Sequence, residues 1–410
     1  LKELVQENAP NLSKALDEMD AWSNVLDPET GAMYSVPELN SALSARMHPK
    51  MFFNKKMLEA VGGKVPTTTD ELYELLVKVR DADANGNGDA NDEIGVTSNG
   101  LSNVLRAFTG AFGLNNRGRE DLSVDADPSD PTKIRFVYTC DSYRQYLAYV
   151  AKLYQEGLID PELFELSTAK MVAKGSQDMI FCLSYINCQA ASVNADDYVG
   201  LEVALKGPNG DQQWNNMNKG VGLGAFAISP TCKDPATLVR WIDSFYTDEG
   251  AKMFYFGKEG EDFYYDENGL PAYNQEILDQ VSAENPYDKV ISAISPYASG
   301  TLPVLIKDEF FCGAECRGVN LETAKNLEPY VNQITWKFNF TTEESEELSP
   351  LTADLITNCH DVYRAKFIKG ELDVNDDAVW QSYVDEMQSL GLERYIEIYQ
   401  GALDRMQAQN

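Results

Sequence analysis

The stretch PTTTDELYELLVKVRDADANGNGDANDEIGVT, residues 66–97, decides the architecture. Thr67, Thr68 and Thr69 follow Pro66 and each offers an N-capping oxygen, with Asp70 and Glu71 completing S/T-x-x-D/E spacings. Leu72, Leu75, Leu76 and Val79 then recur at helical spacing, so one face of this helix is buried. After a run of Asp, Asn and Gly, Glu93-Ile-Gly-Val-Thr-Ser reads as an extended segment. A helix that leads through a loop into a strand is the repeating unit of a layered α/β protein.

The loop itself carries the strongest chemical signal. A calcium loop needs oxygen ligands at alternate positions, because the chain wraps the ion, and a glycine where the turn demands an unusual backbone angle. Two registers satisfy this. One starts at Asp81, with Asp83, Asn85, Gly86, Asp89 and Asp92 at positions 3, 5, 6, 9 and 12. The other starts at Asp83 and puts Gly88 at the turn but Ile94 at position 12. Asp83, Asn85, Asp89 and Asp92 contribute in either register, with Asn87 and Glu93 next in rank. The competing reading is an Asx-rich surface turn, which these residues favour anyway. A sensor pair would continue into a second amphipathic helix, whereas an extended segment follows here, so the expected ion is a structural clamp.

Outward from this segment the alternation continues. Residues 141–156 form a helix with Tyr143, Tyr146, Leu147, Val150 and Tyr154 on one face and Gly157 as its stop. Pro235 opens another whose Leu238, Trp241, Ile242 and Phe245 face inward. The last sixty or so residues are helical, broken at Gly370 and Gly391. Apolar runs bounded by turns at 134–138, 179–183, 199–205 and 222–229 are the strand candidates. The polar tract 341–347 reads as a solvated connection.

Composition sets the outer bounds. With 410 residues, the chain has room for two or three domains. Its 34 basic and 65 acidic residues leave a formal charge of -31, which repels nucleic acid and anionic lipid headgroups. No apolar run approaches the ~20 residues of a spanning helix. Seven cysteines are an odd number; Cys182 with Cys188, and Cys312 with Cys316, are close enough in sequence to pair, and buried inert thiols are the plain alternative.

Catalytic signals are weak by comparison. The chain has no G-x-S-x-G or H-E-x-x-H motif, and only His48 and His360 as histidines. Gly220-Val-Gly222-Leu-Gly224 lacks the final glycine of a dinucleotide fingerprint and runs on into a strand pattern. A carboxylate pair at glycosidase separation cannot be selected from 65 acidic residues. Five Trp, 21 Tyr and 17 Phe supply sugar-stacking surfaces as well as core.

Several segments, taken in order, resemble the extracellular solute-binding proteins of bacterial ABC importers, family 1, in their oligosaccharide-binding lipoprotein branch. MFFNKKMLEAVGGKVPTTTDEL (51–72) is similar to that family's YNK...G...P.TWDEL segment, and the Asx-rich loop directly after it resembles the branch's calcium loop. KLYQEGLIDPE (152–162), KGPNG (206–210), WIDSFYTDEG (241–250), GKEGEDF (257–263) and IYQGALDR (398–405) occur in the same order as in that branch.

The resemblance implies a two-lobed α/β fold of the periplasmic-binding-protein type II class, each lobe a mixed sheet flanked by helices and the two joined by a hinge. Residues 1–47 and 219–305 would form the first lobe, and residues 48–218 and 306–410 the second. Crossing segments are expected near 46–53 and 218–224. LKELVQENAP (1–10) resembles a segment well inside the family's first lobe, so that lobe is expected to lack its opening strands and the lipid-attachment cysteine. The calcium ligands carry over as Asp83, Asn85, Asn87, a carbonyl near Asp89, and the Asp92-Glu93 pair, with one extra residue between the glycine and that pair. Cleft positions would include Tyr34, Arg46, Phe108, Tyr185 and Trp214, with plain packing or surface exposure as the competing reading for each. The implied protein is a monomeric, non-catalytic, extracellular receptor, lipid-anchored or periplasmic. It would capture an oligosaccharide and hand it to ABC permease subunits. A glycan-cleaving hydrolase with a carboxylate pair and a calcium-stabilised adhesion module are the rival readings.

Overall fold

The computed structural model describes residues 1–27, 30–118, 123–192, 195–216, 220–267, 269–282, 285, 287–295, 302–309, 318–334, 336, 338 and 340–408. The chain divides into two units. The first comprises Leu1–His48, Ile186–Asp196 and Met217–Lys325; the second comprises Pro49–Tyr185, Asp197–Asn216 and Asn326–Asn410.

In the first unit a three-stranded mixed sheet runs Leu305–Ile306, Val36–Asn40, Val221–Phe226. Leu39 pairs with Leu305 in parallel, and Val36 with Phe226 antiparallel. The helices Lys2–Asn8, Pro10–Glu18 and Pro235–Asp243 bury Val5, Leu12, Leu16, Val239 and Ile242 against the sheet residues Val36 and Leu39. Buried Asp243 locks two of these helices together, accepting the Leu12 amide at 2.8 Å and the Asn11 side chain at 2.7 Å. Asp234 caps the helix that Pro235 opens, and the resulting phase corrects one expectation. Ile242 points inward, but Trp241 is 55% exposed and lies edge-on between Phe226 and Phe245.

The second unit is built on a four-stranded sheet in the order Ile94–Thr97, Ile180–Tyr185, Lys50–Asn54, Tyr198–Gly200. The first pair is parallel and the others antiparallel, with Phe52 opposite Leu183 and Gly200. Its central strands are buried on both faces, as expected of a sheet covered by helices on each side. The helix Thr69–Arg80 is capped by Thr68, whose hydroxyl accepts the Glu71 amide at 3.1 Å. The Glu71 carboxylate in turn accepts the Thr67 amide and hydroxyl, each at 2.8 Å. Helix Asp141–Gln155 buries Tyr143, Tyr146, Leu147 and Val150, and Gly157 ends it at φ +71°.

Residues 341–347, read as a connection, instead open the helix Thr342–Thr352. Thr341 and Glu344 close a capping box, so side-chain oxygens satisfy the orphan amides of a turn that is otherwise polar on every side. The chain continues through a π-helical stretch, Ala353–His360, into the helices Asp361–Lys369, Asp377–Ser389 and Leu392–Gln407.

Two of the expected lobe assignments need correction. Residues 186–196 and 306–325 group with the first unit rather than the second. The physical reason is local: Ser44 donates to the Asn320 carbonyl at 3.3 Å, and the Asn320 side chain accepts the Cys188 amide at 2.9 Å. These bonds tie all three segments into one body. The expected crossing at 46–53 contains the change of unit between His48 and Pro49. The other begins at Asn218, which lies outside the described residues, as do Cys312 and Cys316. Cys182 is a buried, unbridged thiol in the sheet, so the pairing with Cys188 does not form.

Candidate functional site

The Asx-rich loop starts where the helix Thr69–Arg80 ends. Arg80 donates to the Asp81 carboxylate through Nε at 2.8 Å and through Nη2 at 3.2 Å, and these hydrogen bonds hold the Asp81 carboxyl below its usual range. Asp81 is thereby turned back onto the helix and away from the loop. Asp83 takes over the first position: Oδ1 accepts the Asn87 amide and Oδ2 the Gly88 amide, each at 3.0 Å. Gly86 and Gly88 make the turns at φ +73° and +95°, where a Cβ is strained. Both glycines take the backbone angle that their registers require, and the capture of Asp81 by Arg80 favours the register that begins at Asp83.

The remaining oxygens gather behind Asp83. Asn85 is buried, and its side-chain Nδ2 donates to Asp92 Oδ1 at 3.1 Å, while the Asn87 side-chain Nδ2 donates to Asp92 Oδ2 at 2.6 Å. Glu93 Oε1 accepts the backbone amides of Ala84 at 2.7 Å and Asn85 at 3.3 Å. Its other oxygen, Oε2, is buried with no hydrogen-bond partner among the described residues. The Asp89 carboxylate accepts the Asn91 amide and side chain, both at 3.1 Å.

The donor set fits a hard divalent cation. Asp83, Asp92 and Glu93 bring three carboxylates, and Asn85 and Asn87 bring amide oxygens, the mixture calcium takes. The orphaned Glu93 oxygen is the observation that favours an ion, because a buried carboxylate oxygen without a partner loses its hydration for nothing in return. Among the described residues no group of three or more His, Cys, Asp or Glu side chains converges to hold a metal. The amide oxygens and water would therefore have to complete the shell.

Behind the loop the backbone is held on both sides. The Ile94 amide donates to the Met179 carbonyl at 2.8 Å and the Val96 amide to the Leu158 carbonyl at 3.0 Å. A Cβ on Gly95 would stand 2.2 Å from the Leu158 carbonyl oxygen. Buried Asp160 anchors the far end of the strand, accepting Thr97 at 2.8 Å and both Lys174 contacts at 2.8 and 2.9 Å. An ion in the loop would thus fasten the helix Thr69–Arg80 to a strand that is already fixed.

The five expected solute contacts divide between the two units. In the first, Tyr34 is 67% exposed, and Arg46 ends the short helix Leu43–Arg46 beside Gly220, half-buried. In the second, Tyr185 is half-buried at the end of the strand Ile180–Tyr185, opposite Lys50. Phe108 and Trp214 need correction: both are enclosed in the core of the second unit. Phe108 packs edge-on against Tyr149 at 5.6 Å, and the Trp214 backbone bridges to 330–331. A ring with no accessible face has nothing to stack on a sugar.

Sequence reading missed two concavities of the second unit. An open depression of about 690 Å3 is lined by Asp141, Arg144, Gln145, Tyr149, Asn209 and Asp377, among others. Its one arginine is already consumed by Asp377 and the carbonyls of Val374 and Asn375. A smaller cavity, about 40 Å3, brings together Arg106 and Arg364, residues too distant in sequence for any spacing rule to join.

This is a two-domain solute-binding-protein fold. Over the whole chain it is similar to the substrate-binding protein FusA of Streptococcus pneumoniae in complex with kestose, with a TM-score of 0.76 at 24% identity, covering 100% of this chain and 83% of that one. An EF-hand mutant of FusA in complex with fructo-nystose matches equally, with a TM-score of 0.76 at 23% identity and the same coverage of both chains. The alginate-binding protein AlgQ2 without calcium ion follows at a TM-score of 0.75 and 18% identity, covering 98% of this chain and 81% of that one. In sequence, the chain is 24% identical over 430 residues to the fructooligosaccharide ABC transporter substrate-binding protein FusA, covering 100% of this chain and 76% of that protein. It is 29% identical over 216 residues to the lipoprotein LipO of Bacillus subtilis, covering 49% of this chain and 39% of LipO. Its homologues are ABC-transporter substrate-binding proteins. No protein-family model matches the chain, and no helix among the described residues is long and apolar enough to cross a membrane.

Proposed function

We propose that this chain is the substrate-binding component of an ABC importer, taking up an oligosaccharide outside the cell and delivering it to permease subunits without chemical change. What supports this reading is a correspondence of fold that spans the entire chain and is shared with FusA in complex with kestose. The matching segments in the sequence run in the same order from residue 51 to residue 405. The protein works as a monomer held at the outer face of the membrane by a lipid anchor, or free in a periplasm.

Calcium belongs to the same proposal. Asp83, Asn85, Asn87, Asp89, Asp92 and Glu93 would hold one ion, which supplies positive charge to this acidic loop and performs no reaction. The exposed or half-buried members of the expected contact set, Tyr34, Arg46 and Tyr185, are the residues proposed to touch the solute.

Calorimetric titration of the purified chain with panels of oligosaccharides, amino acids and peptides tests the function. An oligosaccharide should bind with a dissociation constant in the micromolar range or tighter and be recovered intact. Binding of a peptide with no response to any glycan would overturn the substrate class. Release of new reducing ends would overturn the non-catalytic reading.

A further inference from the structure

We propose that the 40 Å3 cavity of the second unit is an oxyanion site, taking one carboxylate, sulfate or phosphate group between Arg106 and Arg364. The cavity lies among the helices Leu101–Thr109, Asp141–Gln155 and Asp361–Lys369. In a chain with 34 basic and 65 acidic residues, two guanidinium groups lining one small cavity run against the overall charge.

The hydrogen bonding says what is still wanted there. Arg364 gives Nη2 to Asp361 Oδ1 at 2.9 Å, but its Nε is buried with no partner among the described residues. Asp361 is itself shared, since the same Oδ1 stands 3.0 Å from His360 Nδ1. The Tyr143 hydroxyl meets His360 Nε2 at 2.6 Å, and the Tyr146 hydroxyl donates to the Leu105 carbonyl at 3.1 Å. Those two rings therefore act as walls, with Leu114 and Val137. Walls of this kind lower the local dielectric and strengthen the attraction between a guanidinium and an anion. The planar fork of arginine matches the paired oxygens of a carboxylate, sulfate or phosphate.

Size sets the limit of what enters. At about 10–15 Å3 per water, the cavity has room for about three waters, which is one oxyanion and not a sugar ring. A glycan carrying such a group would insert it while its ring remains outside, near the exposed hydroxyl of Ser102 at the cavity. The same chemistry would serve a free anion. The glycan-borne form deepens the oligosaccharide reading and rests on it; the free form does not.

The test uses the full chain in calcium buffer at constant ionic strength. Glucuronate and millimolar sulfate are titrated against glucose, and a uronate-bearing oligosaccharide against a neutral one of equal length. Each is repeated on Arg364→Gln, Arg364→Lys and Arg106→Gln. Glucuronate should bind where glucose does not, at least tenfold more weakly in both Gln variants and with partial loss in the Lys variant, which keeps the charge without the fork. Tenfold tighter binding of the uronate-bearing oligosaccharide, lost in Arg364→Gln while neutral-glycan binding persists, assigns the group to the glycan. Anion binding with no response to either oligosaccharide supports a free-anion site and overturns the receptor reading instead. Neutral-oligosaccharide binding with no response to glucuronate or sulfate overturns the oxyanion site alone. If Arg364→Gln does not fold, the Lys and Arg106 variants decide, and unchanged anion affinity in both overturns the proposal.

Discussion

Glu93 reaches back across the loop to accept the Ala84 amide at 2.7 Å, which leaves its second carboxylate oxygen buried without a partner among the described residues. One oxygen thus holds the loop closed while the other is buried beside it without a hydrogen bond.

Calcium removal is the first prediction. An ion bound only by the folded chain stabilises it by mass action, by about 2.7 kcal/mol at a hundredfold excess over its dissociation constant. Chelation should therefore lower the melting temperature in a calorimetric scan, and re-added calcium should restore it. Asp83→Ala loses both amide bonds at the turn as well as a ligand, so its melting temperature should be lower and indifferent to chelator. Melting of the unaltered chain that ignores chelator would refute the calcium assignment.

The pair Asp160 and Lys174 makes the second prediction. The Asp160 side chain is fully buried and that of Lys174 is 17% exposed. Lys174→Met would leave the carboxylate with Thr97 and the Glu162 amide as its donors among the described residues. Removing one partner of a buried pair costs about 3–5 kcal/mol, because the other charge remains desolvated. Denaturation in urea should show a loss of about 3 kcal/mol for Lys174→Met, and a smaller one for Lys174→Arg. A loss under 1 kcal/mol would mean that water reaches Asp160 freely.

These two cases show how far the sequence could be read. The loop is visible because its candidate ligands are neighbours in the chain, and alternation at Asp83, Asn85 and Asn87 survives without any tertiary knowledge. Its register is not, since what favours Asp83 over Asp81 is the hold of Arg80 on Asp81, which no spacing rule reveals. Helix Thr69–Arg80 and its cap were legible from local rules alone. Phe108 and Trp214 could not be sorted into core or contact from sequence, because an aromatic ring carries the same letter in a core and on a surface. Arg106 and Arg364 share no local signal, and only the packing of three helices brings them together. The same holds for Asn320, which binds Ser44 and Cys188 and so moves the boundary of the first unit.

Glu38 supplies a dependence on pH. Burial raises its carboxyl pKa above the ordinary value, against the opposing hydrogen bond from the Leu302 amide. Between the unfolded value near 4.5 and the raised folded one, the folded chain holds more proton than the unfolded chain. Stability therefore falls as pH rises through that window. Glu38→Gln retains an oxygen for Leu302 and has no charge to desolvate. Its urea midpoint should exceed that of the unaltered chain at pH 7.5, and the advantage should disappear below pH 4.5, where both side chains are neutral. An advantage that persists unchanged into acid would assign the effect to packing rather than ionisation.

Tyr34 and Phe108 separate contact from packing. The Tyr34 ring is mostly in solvent, whereas Phe108 is fully enclosed. A surface truncation away from special features stays within about 0.5 kcal/mol, while Phe→Ala in a core costs about 3–5 kcal/mol. Tyr34→Ala should leave the melting temperature unchanged and, if the ring stacks on the bound glycan, weaken binding by about tenfold, a stacking contribution near 1.4 kcal/mol. Phe108→Ala should lower the melting temperature sharply yet, at a temperature where the chain remains folded, bind the same glycan with unchanged affinity. Full affinity in Tyr34→Ala would remove that residue from the contact set. Selective loss of affinity in a well-folded Phe108→Ala would show instead that the ring becomes accessible when solute binds, and would restore it to the set.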